Sequence, residues 1–420
     1  MDNSRGPLQA DPVLPRRPRL AFVWAGSAIS TVGTRTLAVA YPLLALHQTG
    51  SPTAAGWAGF ALTLPILVLY IPGGLVVDRI PPRKVMLFAE FGRTLCVASV
   101  LAALPFGGLS FIFIIGAAVA EGAFWVLFTL AEAALLPSLA QPVMMRRALA
   151  KSEAASHLAS IAGRPLGGYL FGLGHYIPFV VNTVLFAISG ALAFGWPRDS
   201  QGRSAGRWLW RDLSGGFLAL REQPFLGGSI KVTAFTNLMV NALIMIIVAG
   251  SSGMSSLYLG IVLAVGGLGG AVGAAFAFHW QPRSVLLTHM WFWAAGLAVA
   301  ALGAAWGLGV WVFGVALFIT GIGGALTNVA IRSVEVHKVD SQTLARVVGV
   351  SRLLSHGALC LAAPLGGLLV TWFGVAGGSL ALCVFMLLAA LVVSSAPKLR
   401  ETLTPPLPPD LPGLVALSKS

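Results

Sequence analysis

The chain is 420 residues long, 57% hydrophobic and only 10% charged, with a mean hydropathy of +0.85. Soluble domains carry about 25% charged residues, so this composition excludes a soluble enzyme and identifies an integral membrane protein. The formal net charge of +13 would suit a nucleic-acid binder, but the placement of the charges along the chain excludes one.

Residues 1–19 read as a polar cytoplasmic tail. Its Arg16, Arg17 and Arg19 precede a span too long for the apolar core of a cleavable signal peptide. Apolar runs long enough to cross a bilayer as helices follow near 20–46, 54–77, 85–105, 109–136, 154–172 and 177–196. Six more lie near 227–249, 256–278, 285–305, 309–331, 347–370 and 376–395. The sequence therefore predicts an all-α membrane protein of twelve spans, in halves 20–196 and 227–396. In the linker 197–226, Leu209, Leu213, Phe217 and Leu220 share a helical face beside Trp208 and Trp210. This suits an amphipathic helix on the membrane surface, and a plain linker fits equally. The proline-rich residues 397–420 read as a disordered cytoplasmic tail.

Lys and Arg crowd alternate loops: Arg79, Arg83 and Lys84; Arg146, Arg147 and Lys151; Arg198 to Arg221; Arg283; Arg332 to Arg352. The loops between them, such as His47–Thr53, Gly172–Pro178 and Thr371–Gly378, contain neither. By the positive-inside rule both termini are cytoplasmic and the number of spans is even. The positive charge is thus topological; the bilayer, in the plasma (inner) membrane, is the expected partner, and nucleic acid is not. Cys96, Cys360 and Cys383 lie inside apolar runs, so neither a disulfide framework nor a metal site is expected. The run Gly266–Gly270 lacks a Walker-type ending. No cofactor is expected.

Between the second and third spans stands Gly74-Leu-Val-Val-Asp78-Arg79, followed by Arg83 and Lys84. Gly74 leaves room for another helix, and Asp78 can face the positive end of a neighbouring helix. Arg79, Arg83 and Lys84 stay in water or on lipid phosphates. Such a latch can form in one conformation and break in another. Glu90 and Arg93, one turn apart, either pair with each other or extend this latch. Arg147 and Arg346 occupy matched loops after the fourth and tenth spans, as latch residues or as plain positive-inside charges.

Pro165-Leu166-Gly167-Gly168 reappears as Pro364-Leu365-Gly366-Gly367, and Ser156-His157 as Ser355-His356, at a constant offset of 199. Six spans per repeat gives halves in the same orientation. These glycines, with Gly163, permit close helix crossing.

On these residues the chain resembles the major facilitator superfamily, and within it the twelve-helix exporters grouped with macrolide efflux pumps and the enterobactin exporter. The resembling pieces are Gly33, Gly50-Ser51-Pro52, Gly74–Lys84, Glu90 to Arg93, Leu136-Pro137-Ser138-Leu139 and Gly163–Gly174. The resemblance implies a transporter, not an enzyme. Alternating access around a central cavity, with a proton gradient driving export of a small amphipathic compound, is its expected mode. A functional monomer is expected. The chain departs from the family in having Pro81 where a glycine is usual, no arginine in the fourth span, and Arg164 inside the fifth-span motif. An importer, a uniporter and a non-transporting protein of the same fold remain open.

Ionisable residues inside spans each cost about 2.5–3.5 kcal/mol at mid-bilayer on insertion scales, so they are rarely idle. Arg35, Glu121 and Arg164 lie near mid-span. In the resembling fold the first and fourth helices line the cavity, which pairs Arg35 with Glu121. Either Glu121 exchanges a proton or the two form a static pair. Glu132 lies eleven residues further along, as a proton relay or a partner for a surface cation. The positive excess at mid-depth also hints at an anionic substrate. Asn182, Asn237, Asn241 and Asn328 are candidates for polar contacts.

Overall fold

A computed structural model describes residues 17–106, 110–139, 159, 161–194, 223–251, 256–277, 284–338, 354 and 357–404. The first half contains α1 (Arg17–Thr49), α2 (Pro52–Arg79), α3 (Pro82–Ala103), α4 (Phe111–Leu139), α5 (161–173) and α6 (Ile177–Ala193). The second contains α7 (Pro224–Ala249), α8 (Ser256–Phe276), α9 (Val285–Ala305) and α10 (Trp311–Lys338). The run Ala362–Ser395 follows, broken at Gly374 (φ 68, ψ −176) into α11 and α12. Only glycine adopts that backbone without strain. Among the described residues nine helices are long and apolar enough to span a membrane, one of them this broken run. Splitting it and adding the shorter α5 and α6 fits the twelve-span expectation.

In hydrocarbon every backbone group must be satisfied within its own segment, which selects helices. Hydroxyls obey the same rule: Thr31, Thr34 and Thr36 donate to the carbonyls of Ser27, Ser30 and Val32, one turn back. Ser51 caps α2 by accepting from the Ala54 amide at 3.3 Å, and Pro52 opens the helix. Phe91 (69% exposed) and other exposed apolar side chains face outward, where lipid replaces water.

The repeat is visible in the packing. In the first half α2 packs on α4, α3 on α4 and α6, and α1 on α6. In the second, α8 packs on α10, α9 on α10, and both α9 and α7 on the Ala362–Ser395 pair. The Pro-Leu-Gly-Gly runs take matched places. A Cβ on Gly167 would lie 2.6 Å from the Thr36 carbonyl of α1, and one on Gly366 2.5 Å from the Ala242 carbonyl of α7. The partner glycines face the other half. Gly168 and Pro165 lie against Gly260 of α8, while Gly367 lies against Pro52 and Gly56 of α2. Thr53 and Thr371 hydroxyls are 2.7 Å apart across the α2–α11 seam, and Cys360 donates to the Thr63 carbonyl at 3.1 Å. Both seams lie beside the loops without Lys or Arg, so the halves are closed on that face.

Among the described residues nothing lies within 4 Å of a Cβ placed on Gly74, whereas one on Gly73 lies 3.0 Å from Leu130 of α4. Two expectations need correction. The expected disordered tail begins with a helix, α13 (Pro397–Thr402), because Leu403 buries its side chain in the core of the second half. Arg83 stays only partly in water, being half-exposed. Its guanidinium donates to the Ala193 and Phe194 carbonyls at 3.1 and 2.8 Å, capping α6. Arg79 and Lys84 are exposed. The amphipathic segment of the linker, the rest of both tails, Arg147, Arg346 and the Asp78 side chain lie outside the described residues.

The Cys360 thiol is fully buried in the α2–α11 seam. In a Cys96→Ala/Cys383→Ala background, it should resist a membrane-impermeant maleimide applied from the face without basic loops. Gly56→Leu, which cannot fit the seam, should raise the labelling rate about tenfold or more. An unchanged rate would contradict this closure.

Candidate functional site

Arg93 on α3 is completely buried, and Glu90 and Glu121 are each 1% exposed. Arg93 stands ten residues from Ala103 and Glu121 ten from Phe111, so each lies about 15 Å along its helix. That is half of a hydrocarbon core of about 30 Å. The guanidinium Nε and Nη2 donate to one Glu121 carboxylate oxygen at 2.9 and 2.7 Å. Nη2 also donates to Thr34 at 2.6 Å and Nη1 to Ser30, both on α1. The Phe186 ring of α6 lies 3.8 Å from the guanidinium carbon, a cation–π contact. Four helices of the first half therefore converge on one side chain.

The second carboxylate is held differently. Glu90 Oε1 is 3.7 Å from Arg93 Nη1 and 3.0 Å from the Ser189 hydroxyl of α6. The Ser30 hydroxyl also hydrogen-bonds the Glu90 side chain, and among the described residues Oε2 has no hydrogen-bond partner. Ser189 also lies 3.0 Å from the Gly26 carbonyl, which can only accept. One hydroxyl proton cannot serve both contacts. With a proton on Glu90, the acid donates to Ser189 and Ser189 donates to Gly26, and both bonds are made. Within the cluster itself two carboxylates face one guanidinium, and one proton would balance that count.

The expected Arg35–Glu121 pair does not form. Arg93, expected in the latch, takes Glu121 because α3 and α4 are packed neighbours, whereas Arg35 points from α1 toward α5. Glu90, also expected in the latch, lies one turn from Arg93 and meets Ser189 of α6. Gly163 brings α5 against α1, its missing Cβ lying 2.5 Å from that of Arg35. The next residue, Arg164, reaches across to the second half and donates to Asn241 on α7 at 2.9 Å. Glu132 is half-buried on α4 toward the basic face. Ser30, Thr34, Phe186 and Ser189 carry the cluster without having been singled out in the sequence. Their one signal is the spacing of Ser27, Ser30 and Thr34, polar residues on one face of an apolar span. Outside the spans, partial burial and the facing His47 ring, stacked at 5.0 Å, lower the pKa of His175. Among the described residues no group of His, Cys, Asp and Glu could hold a metal.

Residues 23–355 match the sequence model of the Major Facilitator Superfamily. The chain is 24% identical over 412 residues to the Uncharacterized MFS-type transporter YfiS of Bacillus subtilis, covering 93% of this chain and 96% of that protein. It is also 24% identical to the Uncharacterized MFS-type transporter y4rN of Sinorhizobium fredii, covering 85% and 90%. Among solved structures it is similar to a bacterial homologue of the iron transporter ferroportin in an inward-facing state (TM-score 0.68, 16% identity, 91% of this chain and 100% of that one). It is similar in fold to the nucleoside transporter NupG (0.67, 11% identity, 90% and 98%).

Arg93→Met leaves two carboxylates without their cation and should cost about 3–5 kcal/mol. Glu90→Gln, which keeps the Arg93–Glu121 pair, should leave the melting temperature in detergent close to wild type. Thermal unfolding of the two purified variants checks this ordering, and equal melting temperatures would contradict it.

Proposed function

The chain belongs to the major facilitator superfamily, and on that premise we propose a secondary active transporter working by alternating access. It exports a small amphipathic compound, such as an antibiotic or another secondary metabolite, in exchange for protons. It works as a monomer in the plasma membrane with both termini cytoplasmic, as the distribution of basic loops supports. The halves 20–196 and 227–396 are the moving bodies, joined by the linker 197–226.

The observation that carries proton coupling is the two-carboxylate, one-cation cluster at the membrane centre. Glu90 is the exchanging group and Glu121 the fixed counter-ion, because the Arg93 contacts are 3.7 and 2.7 Å respectively. With Glu90 protonated, Arg93 is matched by Glu121 and fastened to Ser30 and Thr34. Loss of that proton places a second negative charge within reach of Arg93 and draws the guanidinium toward it. Its bonds to α1 then weaken. Helix α1 is packed through Gly163 and Gly167 on α5, and α5 forms one of the two seams between the halves. The proton thereby biases the element that opens and closes. Export as the direction is supported by the resemblance to the efflux branch.

Reconstituted protein tests this in two assays. Glu90→Gln should retain substrate counterflow, which needs no gradient, and lose at least about tenfold of transport driven by a pH gradient, the signature of an uncoupled carrier. If Glu90→Gln responds to the gradient like wild type, Glu90 is structural. If wild-type transport ignores the gradient, the chain is a uniporter.

A further inference from the structure

The cluster around Arg93 does not include the other two arginines of the first-half spans. Arg164 and Arg35 are half-buried, on neighbouring helices of the first half and within electrostatic reach of each other. Arg164 lies nine residues from the end of α5, and Asn241 eight from Ala249 at the end of α7. These separations correspond to about 13 and 12 Å, so their bridge crosses between the halves near mid-depth. Among the described residues the partner of Arg164 is a neutral amide, and neither ion pair of the described residues includes it. Asn241 is held by its own helix, its amide donating to the Asn237 carbonyl at 2.8 Å. That bond leaves its side-chain oxygen aimed at the guanidinium.

We propose that Arg164 is the recognition site for an anionic group on the substrate, which displaces Asn241 from the guanidinium. The substrate class is therefore an amphipathic organic anion bearing a carboxylate, sulfonate or phosphate. This rests on the reading of the chain as a transporter. The physical drive is the exchange of a neutral hydrogen bond for a charge-assisted one, which is roughly twice as strong and often bidentate. Because the displaced bond joins α5 to α7, binding also cuts a tie between the halves. Recognition and release of the halves become one event.

The test is equilibrium binding to the full chain in lipid nanodiscs, without a gradient. Three anionic probes (2-naphthoate, naphthalene-2-sulfonate and 2-naphthyl phosphate) are compared with methyl 2-naphthoate and 2-naphthylmethylamine. Binding is read by thermal stabilisation and by tryptophan fluorescence. At least one anion should bind on the order of tenfold more tightly than the ester and the amine. Arg164→Gln should abolish that preference and Arg164→Lys should keep part of it. Asn241→Asp, equal in shape, supplies a resident carboxylate and should weaken anion binding by on the order of tenfold. Asn241→Ala removes the competitor and should preserve or strengthen it. No preference for any anion, or wild-type binding by Asn241→Asp, overturns the inference. If a neutral or cationic compound is transported while the anions fail, the inference falls and the transport reading stands. If the anions bind with these variant effects but nothing is transported, the site stands and the transport reading falls.

Discussion

A guanidinium buried at the centre of a membrane is tolerable only if its donors are occupied and its charge is matched. Arg93 meets both conditions by drawing Glu121 from α4, Ser30 and Thr34 from α1, and the Phe186 ring from α6. Removing either charged partner leaves the other uncompensated in low dielectric, a penalty far larger than the net worth of the pair. The relative placement of α1, α3, α4 and α6 therefore follows from satisfying this one side chain. Glu90 adds a second carboxylate to a site with a single cation, and the proposed proton coupling rests on that imbalance.

The two halves meet through a different interaction. At both seams glycines remove the side chain that would hold helices apart, so backbone touches backbone, and the α2–α11 seam adds the Thr53–Thr371 and Cys360–Thr63 hydrogen bonds. Such a contact is strong when aligned and weak when shifted, which suits surfaces that must part and rejoin. The seams are tied to the buried cluster through α1. Thr34 holds Arg93, while the next two residues, Arg35 and Thr36, lie against Gly163 and Gly167 of α5. A change in charge around Arg93 is thus two residues of helix away from the packing that closes the protein.

Much of this was legible in the sequence. Span positions, the alternation of basic loops and the 199-residue offset depend on local composition and spacing, and the packing repeats as the offset predicts. Of the charged cluster, Glu121 was also visible at mid-membrane, since charge is expensive there, whereas Glu90 and Arg93 read as part of the latch. The pairing of Glu121 was not visible. Arg35, Arg93 and Arg164 were all available to Glu121, and the choice among them depends on which faces of α1 and α3 turn toward α4, which periodicity alone does not fix. The partner of Asn241 was hidden for the same reason, since it lies 77 residues away in the other half. The capping contacts of Arg83 were hidden because the end of α6 is more than a hundred residues further along.

The central claim is that a proton resides on Glu90 while Glu121 stays ionised beside Arg93. Infrared difference spectroscopy of the reconstituted protein during a pH jump reads this directly, because a protonated carboxyl group has its own carbonyl stretch. The account predicts that band in the wild type, its loss in Glu90→Gln and its persistence in Glu121→Gln. Absence of the band from the wild type, or its survival in Glu90→Gln with loss in Glu121→Gln, would contradict the account.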